Sequence, residues 1–565
     1  MKISSQTQLV YGGGGKSPSL NSRTLIAKYH RKLLFAIPKA FWAILNDYKR
    51  FYLVSSLKMC CYTLLNNAHK AQKYELRYKN RHKKICESKR AFRQSLHYYR
   101  AFDKIKPQSK AWIESSEFKA KYLDTNHPYP PLLNPDSIDY DSIPAEFAWE
   151  LNLPLPPNYD LIFLTNGVSG SEAVINFLRL CNVNLTLLSY ELGISAKKNA
   201  YKRAFNLCMT EKKDNQNIAI SFCVDDVCDN YGSAHLVASL SKKVPILYIA
   251  RDPISRLKTW VNHIYGVYDF DNVMKRFNLT CNYKKLFPSF FYMYKDSLKP
   301  SCRDILRVLE DNGVMGALFN RRIFITDTAF NALQGKGQFY CVEFDGIKTD
   351  KAYKTFCKLA NEFGFDKPKN KDLFEQNMNW TRGIMWIFNY KNKGVELYVH
   401  PDDISNAFNG GIENRNLASL NANTGYSILI IPIIYMNNEH NTLFIDISKD
   451  IFDDDIIIDN TKIAIIVRHS DFDQLCKNKE LYEISKEYLK GYIQSLKIVA
   501  KEMESILVNE SDIINYLKYD NKSRIAIKKI LDNELVYIKT HHPDFIQKWK
   551  YYLEFEKMCA ELDST

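Results

Sequence analysis

Tyr159–Arg179, YDLIFLTNGVSGSEAVINFLR, is the stretch whose reading decides the fold. It opens with an apolar run, passes through Gly167-Val168-Ser169-Gly170-Ser171, and ends with apolar residues at helical spacing. That order predicts a buried strand, a tight turn and a helix. A second stretch, Val244–Trp260 (VPILYIARDPISRLKTW), predicts another buried strand that ends in Arg251-Asp252-Pro253 and feeds a helix. Strands expected at Ile218–Val224, Arg322–Thr326 and Phe339–Phe344, with helices between them, extend the alternation. The fold class expected is α/β, with a mainly parallel sheet in three layers. A Gly/Ser turn at a helix N-terminus presents unpaired N–H groups and a favourable dipole to an anion. Arg251, at the carboxyl end of the neighbouring strand, is placed to clamp a second phosphate. Gly167, Ser169, Gly170, Ser171, Arg251, Arg256 and Thr259 are therefore the candidate ligands of a nucleotide-type donor at the carboxyl edge of the sheet.

These residues resemble the nucleotide-dependent sulfotransferases. That family has a Pro-Lys/Arg-Ser-Gly-Thr loop after its first strand, then an Arg-(Asn/Asp)-Pro strand end with a Ser eight residues beyond the Arg. Here the loop is Gly167-Val168-Ser169-Gly170-Ser171, the strand end is Arg251-Asp252-Pro253, and Thr259 stands at the eight-residue offset. Phe339–Ile347 and the amphipathic segment Asp350–Phe365 are similar to the strand and helix that close the sulfotransferase core. The resemblance covers roughly 158–368 and implies a sulfotransferase-like core. Val168 stands where that family has the Lys or Arg that meets the transferred sulfuryl group, so a donor other than 3′-phosphoadenosine 5′-phosphosulfate is expected. The alternative is that a Lys or Arg of the 371–425 insertion, such as Lys393 or Arg382, folds in and restores such a charge.

RDPISRLKTWVNH (251–263), YVHPDDISNAFN (398–409) and LFIDISKDIFDDD (443–455) also resemble a family of sugar transferases from surface-polysaccharide loci of campylobacter-type bacteria. Some of its members are linked to O-methyl phosphoramidate addition to capsule sugars. The resemblance implies a transferase moving a small activated anionic group, of phosphoramidate type, from a nucleotide-linked donor to a hydroxyl of a capsular or other surface glycan. The nucleotide donor is then a cosubstrate and no further cofactor is required. The acceptor would be a capsule or lipooligosaccharide precursor, at a cytoplasmic site.

Transfer to a hydroxyl needs a base. Asp225 and Asp226 follow the strand expected at Ile218–Val224 and so belong to the same sheet edge as Arg251, while His263 lies one turn beyond Thr259. Asp225, Asp226 and His263 are the candidate catalytic residues, with His235 a further histidine in the intervening segment. Asp252-Pro253 reads as a helix cap and first-turn proline. Asp453-Asp454-Asp455 matches the Asp-x-Asp signature of metal-dependent glycosyltransferases, which makes such an enzyme one alternative. A sulfotransferase, or a non-catalytic nucleotide- or glycan-binding protein, are the others. An acidic turn between strands is the commoner meaning of three aspartates, and no metal site is assigned. Gly12–Ser17 imitates the end of a P-loop but has Val10 where its first Gly belongs.

Composition divides the 565 residues sharply. Residues 1–120 hold 25 Lys/Arg and 6 Asp/Glu, against 53 and 57 in the remainder. The basic character belongs to an N-terminal module, with peripheral contact to an anionic membrane as a possible use and nucleic acid a weaker one. Thirteen Cys without CxxC or zinc spacing read as reduced thiols. The start lacks the apolar core of a signal peptide, and Leu33–Leu45 is interrupted by Pro38 and Lys39. The expected organisation is a disordered tail at 1–22, a basic helical module at 23–125 and a Pro-rich linker at 126–157. The donor-binding α/β core at 158–368 follows, then an insertion or acceptor region at 369–435 and strands plus C-terminal helices at 436–565. An apolar stripe, Val54, Leu57, Cys61, Leu64 and Ala68, marks a helix in the basic module. A second, from Leu481 to Ile506, marks a long helix near the C-terminus.

Overall fold

The computed structural model describes residues 107–186, 194–210, 216–228, 232–267, 276–287, 289–293, 297–311, 323–375, 395–408, 428–435, 443–459 and 461–563. The tail, most of the basic module with its Val54–Ala68 stripe and Gly12–Ser17, and Arg382 and Lys393 lie outside them. The chain forms two compact units, Met1–Pro154 and Leu155–Thr565. In the first, Trp112, Phe118 and Tyr122 form an aromatic cluster, and the Trp112 indole donates to Pro131 O at 3.0 Å. Pro135–Ser137, Tyr140–Ser142 and Ala145–Glu150 are short helical turns within the Pro-rich stretch. Among the described residues no helix is long and apolar enough to cross a membrane.

The second unit is mixed α/β. β1 (Leu161–Thr165) leads into α1 (Ser171–Leu180), then come β2 (Val183–Leu185), α2 (Ile194–Cys208) and β3 (Asn217–Cys223). The helices α3 (Val224–Cys228) and α4 (Ser233–Ala238) follow, then β4 (Ile246–Ala250) and α5 (Pro253–Val261). The chain now leaves this sheet: β5 (Ile264–Val267) pairs with β7 (Phe290–Tyr292), and β6 (Arg276–Asn278) joins a second sheet. After α6 (Arg303–Glu310) and α7 (Asp327–Ala332) it returns as β8 (Phe339–Glu343), with α8 (Ala352–Phe363) behind it. Of the expected strand at Arg322–Thr326, the described residues 323–326 form no strand. Residues 323–324 form a wide helical turn and Thr326 immediately precedes α7.

The first sheet runs β2-β3-β1-β4-β8, wholly parallel. Every residue of β1 and β4 is buried, as in strands covered on both faces. On one face Phe177 of α1, Phe356 of α8 and Phe374 pack together, with Phe177 stacked on Phe374 at 4.6 Å. Gly364, with φ +76°, ends α8 in the left-handed conformation favoured at a helix stop.

The second sheet, order β11-β13-β10-β9-β6, contains β9 (Glu396–Val399), β10 (Ile428–Ile434), β11 (Phe444–Asp446) and β13 (Thr461–Arg468). β12 (Ile456–Ile458) pairs with β13 alone. α9 (His469–Lys477) and α10 (Lys479–Ser505) follow. The α10 stripe of Leu481, Tyr488, Tyr492 and Leu496 is buried against this sheet in one cluster with Phe277, Leu397, Ile430 and Ile465. Five helices close the chain: α11 (Glu510–Tyr519), α12 (Asn521–Glu534), α13 (Val536–His541), α14 (Pro543–Lys548) and α15 (Lys550–Asp563).

Candidate functional site

In the parallel sheet, β1 is flanked by β3 and β4, and its chain leaves the carboxyl edge between them. This is the crevice where ligands of open α/β sheets bind. The turn there is built by alternating backbone conformations: Val168 has φ +51° and Gly170 φ +83°, with Ser169 outside the positive-φ set between them. Alternation of this kind turns successive N–H groups to one concavity. A left-handed β-branched residue costs roughly 1–3 kcal/mol and persists only where its surroundings enforce it.

Four hydrogen bonds to three carbonyls identify what enforces it. Asn166 O accepts from the hydroxyls of Ser169 (2.6 Å) and Ser171 (3.1 Å). Gly167 O accepts from Arg256 Nη2 (3.2 Å), and Val168 O from Arg251 Nη1 (2.6 Å). In a planar trans peptide the N–H of the next residue points opposite to the carbonyl. Holding three consecutive carbonyls therefore turns the N–H groups of Gly167, Val168 and Ser169 away from those partners. The N–H groups of Val168, Ser169, Gly170 and Ser171 donate to no described residue, and Gly170 caps α1 without a side-chain bond. Such a helix end is built to receive an anion. Gly170 is required twice over. Beyond its φ, a Cβ there would lie 2.6 Å from Ile347 Cδ1 and 3.0 Å from Phe344 Cε2.

Arg251 joins the expected constellation to an unexpected partner. Its Nη2 donates to Thr259 Oγ1 at 2.8 Å, so the eight-residue spacing brings these two together, while its guanidinium lies 4.0 Å over the Phe344 ring. Two of its five N–H donors are thus engaged, and Nε has no partner among the described residues. Burial and the like charge of Arg256 pull its pKa down to about 10, which still leaves it cationic at neutral pH. Two crowded guanidinium groups beside an open helix N-terminus concentrate positive potential there, offset in part by the carboxylates of Glu510, Asp252 and Glu343.

Arg256 occupies a different place from the donor contact expected of it. It is buried beneath the loop, 3% exposed, hydrogen-bonded to Tyr248 as well as to Gly167 O. Ser169 is likewise turned inward, 1% exposed, with its hydroxyl committed to Asn166. Only its N–H remains for a ligand.

Asp252 caps two helices at once. Oδ1 accepts from the N–H groups of Ile254 (2.8 Å) and Ser255 (3.2 Å) at the start of α5, and Oδ2 from those of Tyr551 and Tyr552 (both 3.1 Å) in α15. Trp549 Nε1 donates to Glu343 Oε1 at 3.3 Å, at the end of β8. The C-terminal helices are thereby fastened to the carboxyl edge that carries Arg251.

Of the candidate bases, Asp226 is engaged on both oxygens. Oδ1 meets the fully buried Lys197 Nζ at 3.1 Å, and Oδ2 accepts from Cys223 N–H at 3.0 Å. Lys197 Nζ also donates to Asp225 O at 2.6 Å. Asp225 itself is buried beside this pair at the end of β3. His263 follows the end of α5, half-buried, with burial holding its imidazole below the usual range and thus neutral at pH 7. His235 lies in α4, pulled down to about 4 by burial.

Asp453, Asp454 and Asp455 form an exposed turn before β12, with Asp455 paired to Lys462 at 2.9 Å. His400 caps the turn at Pro401–Asn406, its Nδ1 accepting from Asp402 N–H, and His541 stacks on Tyr537 at 4.1 Å. Among the described residues no three His, Cys, Asp or Glu side chains gather as metal ligands. Sequence reasoning missed Phe344, Lys197, Tyr248 and Asn166. Only Phe344 carried a signal, its place directly after the closing strand.

Residues 341–562 match a protein family described as of unknown function (DUF2972). The matched span begins inside β8 and takes in the second sheet from β9 onward with the C-terminal helices, while the loop at 167–171 and Arg251 precede it. No curated protein and no solved structure matches the chain.

Proposed function

We propose that this protein is a group transferase. It would move a small activated anionic group, of phosphoramidate type, from a nucleotide-linked donor onto a hydroxyl of a surface glycan. The observation that carries the proposal is the open N-terminus of α1 at the carboxyl end of β1, with Arg251 and Thr259 hydrogen-bonded beside it. In the proposed complex the N–H groups of 168–171 and the remaining Arg251 donors hold the donor's phosphates. The acceptor oxygen attacks phosphorus in line with the bond to the nucleotide phosphate. That bond breaks as the new one forms, and the leaving charge is met by donors already in place. The hydroxyl proton passes to a base, for which Asp225 and His263 are the candidates that remain, since both Asp226 oxygens are engaged. Val168 brings no cation to the transferred group, which supports a donor other than the sulfuryl nucleotide.

The test is calorimetric titration of the full chain with ADP, GDP, CDP and UDP. At least one should bind, and Arg251→Ala should weaken it roughly 10-fold to 100-fold, the loss of a charge-assisted contact. Binding of none of the four, or binding indifferent to Arg251→Ala, removes the proposal. Mass analysis of surface glycans from cells lacking the chain then identifies the transferred group by the mass that disappears. Efficient transfer from 3′-phosphoadenosine 5′-phosphosulfate would instead make it a sulfotransferase.

A further inference from the structure

The floor under the loop is a continuous polar assembly in an otherwise apolar interior. Tyr248, in the middle of β4 and 1% exposed, places its hydroxyl 2.9 Å from Asn166 Nδ2 and 2.8 Å from Thr326 Oγ1. Arg256 bonds the same hydroxyl and reaches Gly167 O. Asn166 Nδ2 also donates to Ile325 O at 2.9 Å. Thr326 is fixed from the far side by Glu534, the last residue of α12, whose Oε2 accepts from the N–H groups of Thr326 (2.9 Å) and Thr328 (3.1 Å). Buried polar groups are costly to leave unbonded. Asn166 Oδ1 has no partner among the described residues, but the two bonds of Asn166 Nδ2 and the Arg256 bond to Gly167 O tie Asn166 and Gly167 to this floor, next to the left-handed Val168.

From this we infer that Arg256 and Tyr248 are positioning residues. They hold the Asn166 and Gly167 carbonyls down so that the loop N–H groups face the anion, and the Arg256 side chain itself makes no contact with the donor. The inference rests on the reading of 167–171 as a phosphate loop. It differs from that reading in what it says of Arg256, a cation in the right region that works from beneath. A residue touching phosphate discriminates between ligands by their phosphates. A residue that shapes the loop changes the affinity of every anion alike.

The experiment titrates the full chain, wild type and Arg256→Met, Tyr248→Phe and Arg251→Lys, with AMP, ADP and inorganic pyrophosphate, and with CMP and CDP in parallel. Hydrogen exchange of the peptide spanning 161–180 and the melting temperature are measured on each. Arg256→Met should weaken every bound probe by the same factor, roughly 10-fold or more, the scale of a lost charged hydrogen bond. Exchange should quicken at 166–171, and Tyr248→Phe should move both readouts the same way by less. Arg251→Lys should weaken diphosphates more than monophosphates. A selective loss of diphosphate binding in Arg256→Met overturns the inference, because it makes Arg256 a ligand. Unchanged affinities also overturn it. If the wild type binds none of the probes, the phosphate-loop reading fails first. Exchange then decides the positioning role alone, and no local change at 166–171 in a folded Arg256→Met protein ends it. Where Arg256→Met does not fold, Tyr248→Phe, which removes one oxygen atom, carries the same comparison.

Discussion

Of the two larger sheets in the second unit, only the parallel one gathers the candidate ligands at one edge. The parallel sheet places the ends of β1, β3, β4 and β8 along one edge, so Asn166–Ser171, Asp225, Arg251 and Phe344 come from four segments to neighbouring places. In the second sheet β10 pairs antiparallel with β9 and β13, and β13 antiparallel with β11 and β12. Its connections therefore fall at both ends, and the acidic turn at Asp453–Asp455 stands among isoleucines with Lys462 for company. Both sheets carry a buried apolar cluster. Convergence comes from strand direction, which aligns loops, helix N-termini and their dipoles on one side.

The sharpest way to break that edge is through the buried pair beneath it. Lys197 is fully buried and Asp226 is 6% exposed. Removing one partner leaves the other charged and unpaired, at a cost of roughly 3–5 kcal/mol. Lys197→Met should lower the urea midpoint of the second unit accordingly. The double variant Lys197→Met/Asp226→Leu should recover part of the loss. A double variant no more stable than the single one would mean that the pair is not the source of the effect.

Gly170 tests the crevice with a smaller change. Ala at this left-handed position costs about 1–2 kcal/mol, and its Cβ would press on Ile347 and Phe344 for about 1–3 kcal/mol more. Because Phe344 also carries the Arg251 guanidinium, Gly170→Ala should weaken nucleotide binding beyond its effect on stability. Calorimetry and denaturant unfolding on the same protein separate the two. Gly364→Ala, at the end of α8 with nothing near the added methyl, is the control that should lose stability alone.

Much of this edge was legible in the sequence, for reasons that differ by residue. β1 and β4 are runs of apolar residues with no alternation, which only a doubly covered strand tolerates. The Arg251–Thr259 pair was legible because two turns of α5 return a side chain toward the helix start. Asp252-Pro253 was legible because capping is local chemistry. What escaped depended on distant chain. Lys197 sits in ISAKKNA, which reads as a solvated helix face, and it is buried because α2 packs against β3, α3 and α4. Arg256 reads as a donor ligand in the sequence, and no sequence mark says that its side chain lies beneath the loop, bonded to Gly167 O and Tyr248. β6 leaves the first sheet's stretch of chain to pair with β9, and Phe277↔Leu397 is a contact no local pattern announces. The expected strand at 322–326 failed because Thr326 answers to Glu534, more than two hundred residues away.

A weaker effect separates structural from reactive histidine. Burial lowers the His235 pKa to about 4 in the folded chain, against 6.5 when free. Between those values the unfolded chain binds more protons than the folded one. The contribution is therefore complete above pH 6.5 and is lost as pH falls toward 4. Unfolding measured at about pH 7.5 and about pH 5 should show a larger loss in the wild type than in His235→Gln. Equal losses would place His235 in solvent. His263→Gln should instead alter the acid limb of the transfer rate if it is the base.

The smallest expected effect lies on the second sheet. Asp453, Asp454 and Asp455 are exposed, and Asp455 is held by Lys462 across the turn that pairs Ile457 with Lys462 in the β12–β13 hairpin. A surface pair of this kind contributes about 0–1 kcal/mol, and it already neutralises one of the carboxylates that a metal would need. β12 buries Ile456 and Ile458 beside the turn, while Arg468 and the start of α9 lie at the opposite end of β13, with Arg468 over the Phe444 ring. Asp453→Ala/Asp455→Ala should therefore shift stability by about 1 kcal/mol at most and leave nucleotide affinity unchanged, with or without chelator. Loss of transfer activity in this variant, restored in neither case by Mg²⁺ or Mn²⁺ at saturating donor, would reverse the comparison. The reacting group would then have to meet the second sheet, and the loop at 167–171 would be left with binding alone.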